Sequence, residues 1–314
     1  MMMLRGALLR RRALLVSRRG ACAQQGDWDS GSMAERYAAN RGTFQDSYAR
    51  DCWQRMSSRD PEVLKRAERI VDVGCGTGDF TAELAQMTGK EVVGVDLSTD
   101  MVSHARSRYS TCAFEQIDLA SQAWSGQKFD IATSTMALHW PGANVAFLRG
   151  VKSMLKDGGL FLAGFHTAGS VQEGVDAVEA TMRLDKFRKY FPEGRALDDF
   201  PTMFRRQAPE VWERALKEAG FVDLKLPMHT IRTPYFSKEA YYSRLIAAWP
   251  PILAPNYLPS PDVVADFIDH AADHALQARR IKYSHSFSDN DDPSVVAYMT
   301  SYLLEFSASL PYEK

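Results

Sequence analysis

"IVDVGCGTGDFTAELA", residues Ile70 to Ala85, sets Gly74, Gly76 and Gly78 within five positions. A β-branched apolar run precedes the glycines, and a segment with helical apolar spacing follows them. A short apolar run stopped by glycines and continued with a 3.6-residue period is a strand, a tight loop and a helix. The alternation continues outward from there. "RIVDV" (69–73), "EVVGVD" (91–96), "CAFEQID" (112–118), "FDIATSTM" (129–136) and "LFLAGF" (160–165) are strand candidates. Helices are predicted around Phe80 to Met87, over "STDMVSHARSRY" and near Asn144 to Leu155. Five apolar runs separated by helices predict an α/β fold, a doubly wound, mainly parallel sheet with helices on both faces. Ligands of such sheets sit beyond the carboxyl ends of the strands, where strand order reverses.

The loop excludes two common ligand classes. A dinucleotide site asks for G-x-G-x-x-G, but Asp79 stands where the third glycine belongs, and no Gly-Lys-Ser/Thr follows as a phosphate loop requires. Asp72 and Asp79 flank the glycines, so the expected ligand is neutral or cationic rather than a pyrophosphate. The second strand ends at Asp96, about 20 residues beyond the loop, where an acid accepts the hydroxyls of a ribose. The third ends at Asp118, whose carboxylate can accept from an adenine amine. Adenosine without phosphate, carrying positive charge, describes S-adenosylmethionine.

The chain here resembles the class I S-adenosylmethionine-dependent methyltransferases, whose D-x-G-x-G-x-G motif reads Asp72 to Gly78. The resemblance implies a Rossmann-like sheet of seven strands, the last antiparallel, with a helical lid inserted in the carboxyl-terminal half. The cofactor set becomes Asp72, Gly74, Cys75, Gly76, Gly78, Asp96, Leu97, Met101, Asp118, Leu119 and Ser134. Tyr37 and Arg41 join it from an amino-terminal segment, Trp28 to Met56, that in this family folds over the cofactor's methionine end. They stand one helical turn apart.

"YAANRGTFQ" (37–45), "ALHW" (137–140), "FHT" (165–167) and "AAWPP" followed by "DVVADFIDHA" are similar to the juvenile hormone acid methyltransferases, and more distantly to trans-aconitate methyltransferases. That likeness implies methyl transfer to the carboxylate of a small, apolar organic acid. Gln45 and Trp140 stand where the family holds that carboxylate, and His139 is a second contact beside them. A carboxylic acid with a pKa near 4 is already ionised at neutral pH, so the transfer needs alignment and neutral donors rather than a general base. A phenol or amine acceptor would instead need one, and His139 or His166 would then lead. Other acceptors, a quinone or a protein side chain, and a non-catalytic cofactor-binding protein of mitochondria are the alternatives.

The rest of the chain divides into three expected parts. Residues 1–25, "MMMLRGALLRRRALLVSRRGACAQQ", carry six arginines and no acid, which predicts a mitochondrial targeting segment. A basic arm on a cytoplasmic protein is the alternative. Residues 26–165 form the cofactor-binding core with its cap helices, and 166–314 complete the sheet and supply the lid. Helices open at Ser237 and at Ser260 with Pro261, and "VDLKLPMHTIRTPYF" (222–236) and "VVAYMTSYLLEF" (295–306) are the remaining strands.

Composition agrees with this plan. The 314 residues are 45% hydrophobic and 25% charged, enough for a full core. Without the six leader arginines, 32 basic residues face 39 acidic ones, a net charge of −7. Such a body is a poor partner for nucleic acid or an anionic membrane. Four cysteines without C-x-x-C spacing argue against a disulfide framework and a structural zinc, so no metal is expected. No apolar run reaches membrane-spanning length.

Overall fold

The computed structural model describes residues 34–35, 38, 43–191, 206–242, 257–281 and 297–311. An amino-terminal helix, α1 (Thr43–Ser57), and a short α2 (Pro61–Arg66) lead into the first strand. Five strands and three helices follow: β1 (Arg69–Val73), α3 (Asp79–Thr88), β2 (Glu91–Asp96), α4 (Thr99–Arg108), β3 (Ala113–Gln116), β4 (Phe129–Thr135), α5 (Val145–Met154) and β5 (Leu155–His166). Their caps are visible in the sequence. Ser98 opens α4 by accepting from the Met101 N–H, and the Asn144 side chain accepts from Ala146 and Phe147 at the start of α5.

β1 to β5 are parallel, and the sheet runs β3-β2-β1-β4-β5 and continues with β8 (Ala297–Ser309) and β6 (Val222–Lys225). Strand order therefore reverses between β1 and β4. β8 (Ala297–Ser309) lies antiparallel to β5, with Leu160 opposite Ser309 and His166 opposite Leu303. The expected single strand over 222–236 is broken into β6 (Val222–Lys225) and β7 (Met228–Tyr235), both paired with β8. Pro227 supplies no N–H to the ladder, and Asp223 has a left-handed φ of 52°. The sheet thus has eight strands in the seven positions expected.

Each face is sealed by its own cluster. On one, α5 and α7 (Pro209–Ala219) bring Leu148, Val151, Trp212 and Leu216 against Val71, Phe161, Phe165 and Phe306. On the other, Tyr48, Cys52, Trp53 and Met56 of α1 meet Ile70, Ile131 and Leu162. Alternation along β1 explains the split, since neighbouring side chains of a strand point to opposite faces. Burying each large apolar side chain contributes about 1.5–3 kcal/mol.

The inserted segments form a third cluster apart from the sheet. α6 (Gln172–Met182) and α8 (Pro261–Ile281) pack Val178, Met182, Phe267 and Ile268 together with Phe187, Phe191 and Tyr241. The Ser260 hydroxyl accepts from Val263 at the start of α8, and that of Ser237 from Ala240. No described helix is long and apolar enough to cross a membrane.

Candidate active site

The three loop glycines have different jobs. All have left-handed φ angles, 75°, 54° and 81° for Gly74, Gly76 and Gly78, where a side chain is strained. A Cβ on Gly74 would stand 2.5 Å from Ala137 Cβ, and one on Gly78 2.8 Å from the Phe114 ring and 2.9 Å from Ala105. A Cβ on Gly76 would meet nothing within 4 Å. The outer glycines are therefore demanded by packing of the protein on itself. Gly76 alone turns bare backbone toward open space.

That space is a pocket over the carboxyl ends of β1, β2 and β4, at the reversal of strand order. Of the residues singled out in the sequence, Gly74, Gly76, Asp96, Leu97, Met101, Asp118, Leu119 and Trp140 line it. Asp96 is tied to the loop: Oδ2 accepts the Gly76 N–H at 2.8 Å and Oδ1 the Ser98 N–H at 2.9 Å. Asp118 is held by the Ala120 N–H at 2.9 Å and the Ser121 hydroxyl at 2.8 Å, so one carboxylate both closes its turn and borders the pocket. Ile117, Leu138 and Phe147, not named as site residues from the sequence, add apolar wall. They follow strand ends or open a helix, which is the only signal that marked them.

No Lys, Arg or His is among the described lining residues, whereas two carboxylates are. A neutral or cationic ligand is therefore favoured. The source of that charge corrects the sequence reading. Asp79 turns away to accept from the Thr77 hydroxyl at 2.6 Å and the Tyr109 hydroxyl at 2.7 Å. Asp72 is buried and accepts from Thr81 Oγ1 at 2.7 Å, tying β1 to α3 behind the loop.

Other candidates also stand behind the lining. The Cys75 thiol is buried, and burial, followed by the carboxylates of Asp96 and Asp72, pushes its pKa well above the ordinary thiol value. Ser134 is fully buried and donates to the Val73 carbonyl at 2.8 Å. His139 is buried with its ring 5.7 Å from Trp140 and 5.5 Å, edge-on, from His166. Tyr37 and Arg41 lie outside the described residues, as does the side chain of Gln45, whose backbone is in the first turn of α1.

Met136 is a further lining residue that was not singled out in the sequence. Met136, just past β4, has a left-handed φ of 56° and donates its N–H to the Gly164 carbonyl at 2.8 Å. This kink turns the chain away from the sheet and starts the turn that carries Trp140. Trp140 lines the pocket on one side and packs against the aromatic cluster of α6 and α8 on the other.

Residues 70–159 match the family model of the methyltransferase domain. Over this stretch, from β1 into β5, the chain is similar to a methyltransferase domain. It is 30% identical over 167 residues to an uncharacterised methyltransferase of Schizosaccharomyces pombe, covering 50% of this chain and 60% of that one. It is 34% identical over 101 residues to the trans-aconitate 2-methyltransferase of Paracidovorax citrulli, covering 31% and 38%. The matches thus span less than two thirds of these curated relatives. Among solved structures, the YcgJ protein of Bacillus subtilis superposes with a TM-score of 0.50 at 17% identity, over 81% of this chain and 98% of that one, a likeness of fold.

S-adenosylmethionine is the cofactor of this domain, and the pocket fits it. Gly76 leaves the cradle that a Cβ would fill, and Asp96 stands where ribose hydroxyls need an acceptor. Asp118 and the apolar walls suit an adenine, and the excess of carboxylates suits a sulfonium.

Proposed function

We propose that this protein is an S-adenosylmethionine-dependent O-methyltransferase that esterifies the carboxylate of a small, apolar organic acid of the farnesoic or juvenile hormone acid kind. The observation that carries the proposal is the place of Trp140, between the cofactor pocket and an aromatic lid cluster. An acceptor bound beside it would present its polar end to the pocket and its body to apolar lid. The similarity to a trans-aconitate methyltransferase supports an acid acceptor.

The bound cofactor supplies an electrophilic methyl group on a cationic sulfur. The chain's part is to align, to exclude water and to orient the nucleophilic oxygen. A carboxylate is ionised at neutral pH, so no residue needs to remove a proton. The Trp140 indole N–H and the Gln45 amide are neutral donors, which hold an oxygen without the full charge that would quench its attack. The lid helices shield the ion from water, and holding the reacting atoms about 3–3.5 Å apart is the larger part of the acceleration. His139, in contact with the Trp140 ring, is a second-rank contact that sets the orientation of the indole.

A quinol or phenol acceptor is the second reading, favoured by the buried His139 and His166 pair, one of which would then serve as base. We further infer that residues 1–25 direct the protein to mitochondria, and that its acid body takes no nucleic-acid partner. The test of the acid reading is Trp140→Ala. It is expected to leave S-adenosylhomocysteine binding within about threefold and to lower turnover on farnesoic acid at least tenfold, the size of one lost charge-assisted hydrogen bond. Full activity in that variant would remove Trp140 from the site.

A further inference from the structure

We propose that Gln207 is a positioning residue that clamps the Trp140 turn in place, coupling the acceptor side of the site to the segment returning from the lid. The proposal rests on the reading of Trp140 as an acceptor contact. Residues 206–208 join 192–205, outside the described residues, to α7. At this re-entry point Gln207 Oε1 accepts the Ala143 N–H at 2.5 Å. Its own carbonyl accepts the Thr167 hydroxyl at 2.6 Å and the Ala168 N–H at 3.3 Å. One residue thereby bridges the turn after β4 and the loop after β5. Beside it, the Arg206 guanidinium donates to the Ser170 carbonyl.

The turn's own bonds show why this contact counts. Trp140 N–H reaches the Ala137 carbonyl at 3.0 Å, Gly142 N–H the Leu138 carbonyl at 3.0 Å and Asn144 N–H the Gly142 carbonyl at 2.7 Å. The Ala143 amide is instead bonded from outside, across 64 residues of chain. Gly142, at a φ of 64°, leaves room for it, since a Cβ there would lie 3.1 Å from Gln207 Oε1. The clamp thus grips the turn between Trp140 and the Asn144 cap of α5. A single neutral hydrogen bond is too weak to decide whether the protein folds, but its loss makes local opening more frequent by about tenfold. An indole that wanders with its turn presents its N–H to the acceptor for a smaller share of the time.

The experiment compares full-length wild type, Gln207→Ala and Gln207→Glu, the last keeping an acceptor oxygen. Hydrogen exchange of the peptide spanning 138–145 is measured by mass spectrometry, and S-adenosylhomocysteine affinity by calorimetry. Turnover is measured with farnesoic acid. The expected result for Gln207→Ala is about tenfold faster exchange in that peptide and about tenfold lower kcat/KM for the acid, with cofactor affinity within twofold. Gln207→Glu is expected to restore both. Unchanged exchange in Gln207→Ala, unchanged kcat/KM, or an equal loss in Gln207→Glu would each overturn the clamp. Absence of turnover in the wild type would sink the acid reading instead, and the exchange data would still decide whether Gln207 holds the turn.

Discussion

The backbone N–H of Gly76 donates to Asp96 Oδ2 at 2.8 Å, so the barest point of the glycine loop and the carboxylate at the end of β2 are one unit. Their separation of 20 residues in sequence becomes a hydrogen bond because β1 and β2 are parallel neighbours, with Val73 opposite Val95. The loop cannot shift without moving the acid, and the acid orients the loop.

Asp96→Ala therefore removes a ligand acceptor and releases Gly76 together. A charge-assisted hydrogen bond contributes about 1.5–3 kcal/mol, so S-adenosylhomocysteine affinity is expected to fall ten- to hundredfold or more. Asp96→Asn keeps one acceptor oxygen and should lie between. Calorimetric titration checks both, and an unchanged affinity in Asp96→Ala would remove the carboxylate from the cofactor site.

The glycines separate binding from folding. Gly76→Ala meets no protein atom, and its cost to stability is the left-handed φ alone, about 1–2 kcal/mol. Its methyl fills the cradle, so cofactor affinity should fall more than tenfold. Gly74→Ala adds the 2.5 Å approach to Ala137 and should cost a further ~1–3 kcal/mol. Urea unfolding of the two variants, without ligand, is expected to rank Gly74→Ala as the less stable.

Arg55 of α1 is bonded to Glu305 of β8, Nη2 to Oε1 at 2.5 Å, across 250 residues. Glu305 is fully buried, with Arg59 Nη2 at 3.5 Å and the His229 ring nitrogen Nε2 at 3.0 Å from its carboxylate. Removing one partner of a fully buried pair costs about 3–5 kcal/mol. Arg55 keeps about a third of its side chain in water and the Arg59 guanidinium stays beside the acid, so Arg55→Ala should cost only about 1–2 kcal/mol. Because α1 carries Gln45, the same variant should weaken turnover on an acid more than it weakens cofactor binding. Unfolding and steady-state kinetics measured together check this.

Acid should destabilise the fold through the carboxylates at the foot of the sheet. Burial raises the Asp130 carboxyl, but the Lys156 ammonium at 2.6 Å and the amides of Arg69 and Glu68 outweigh it and leave its pKa below the usual carboxylate value. Arg69 lowers Glu91 in the same way, first through their hydrogen bond and against a smaller desolvation. Both folded pKa values are depressed, so the stability they add is fully present above the unfolded carboxylate range, about 4, and is lost as pH falls through the folded values. Melting temperature recorded from pH 7 to 3 should be flat above about pH 5 and then fall. Asp130→Asn should shallow that fall.

The parallel half of the sheet was legible because its strands are short apolar runs separated by helical segments, and β1 and β2 are β-branched runs closed by Gly74 and by Asp96, a pattern set by local chemistry. Asp96 and Asp118 were legible for the same reason, as strand-end carboxylates. What the glycines do was not, because Ala137 and Phe114, which force Gly74 and Gly78, arrive from the turn after β4 and from β3. Asp79 looked like a pocket carboxylate and is turned inward by Tyr109, 30 residues away. The strand around Pro227 read as one run since its apolar alternation continues through the break. Glu305, set in the apolar run "SYLLEF", and Gln207, a polar residue in a connection, carry no local mark of their partners, which come from 250 and 64 residues away.

The most direct measurement incubates the full chain with S-adenosylmethionine and farnesoic acid and follows methyl ester and S-adenosylhomocysteine together by mass spectrometry. Medium-chain fatty acids, trans-aconitate and a catechol serve as comparison acceptors. The account predicts equal amounts of ester and S-adenosylhomocysteine from the apolar acids, and loss of both in Trp140→Ala. Cofactor-dependent thermal stabilisation with no ester from any acid would contradict it.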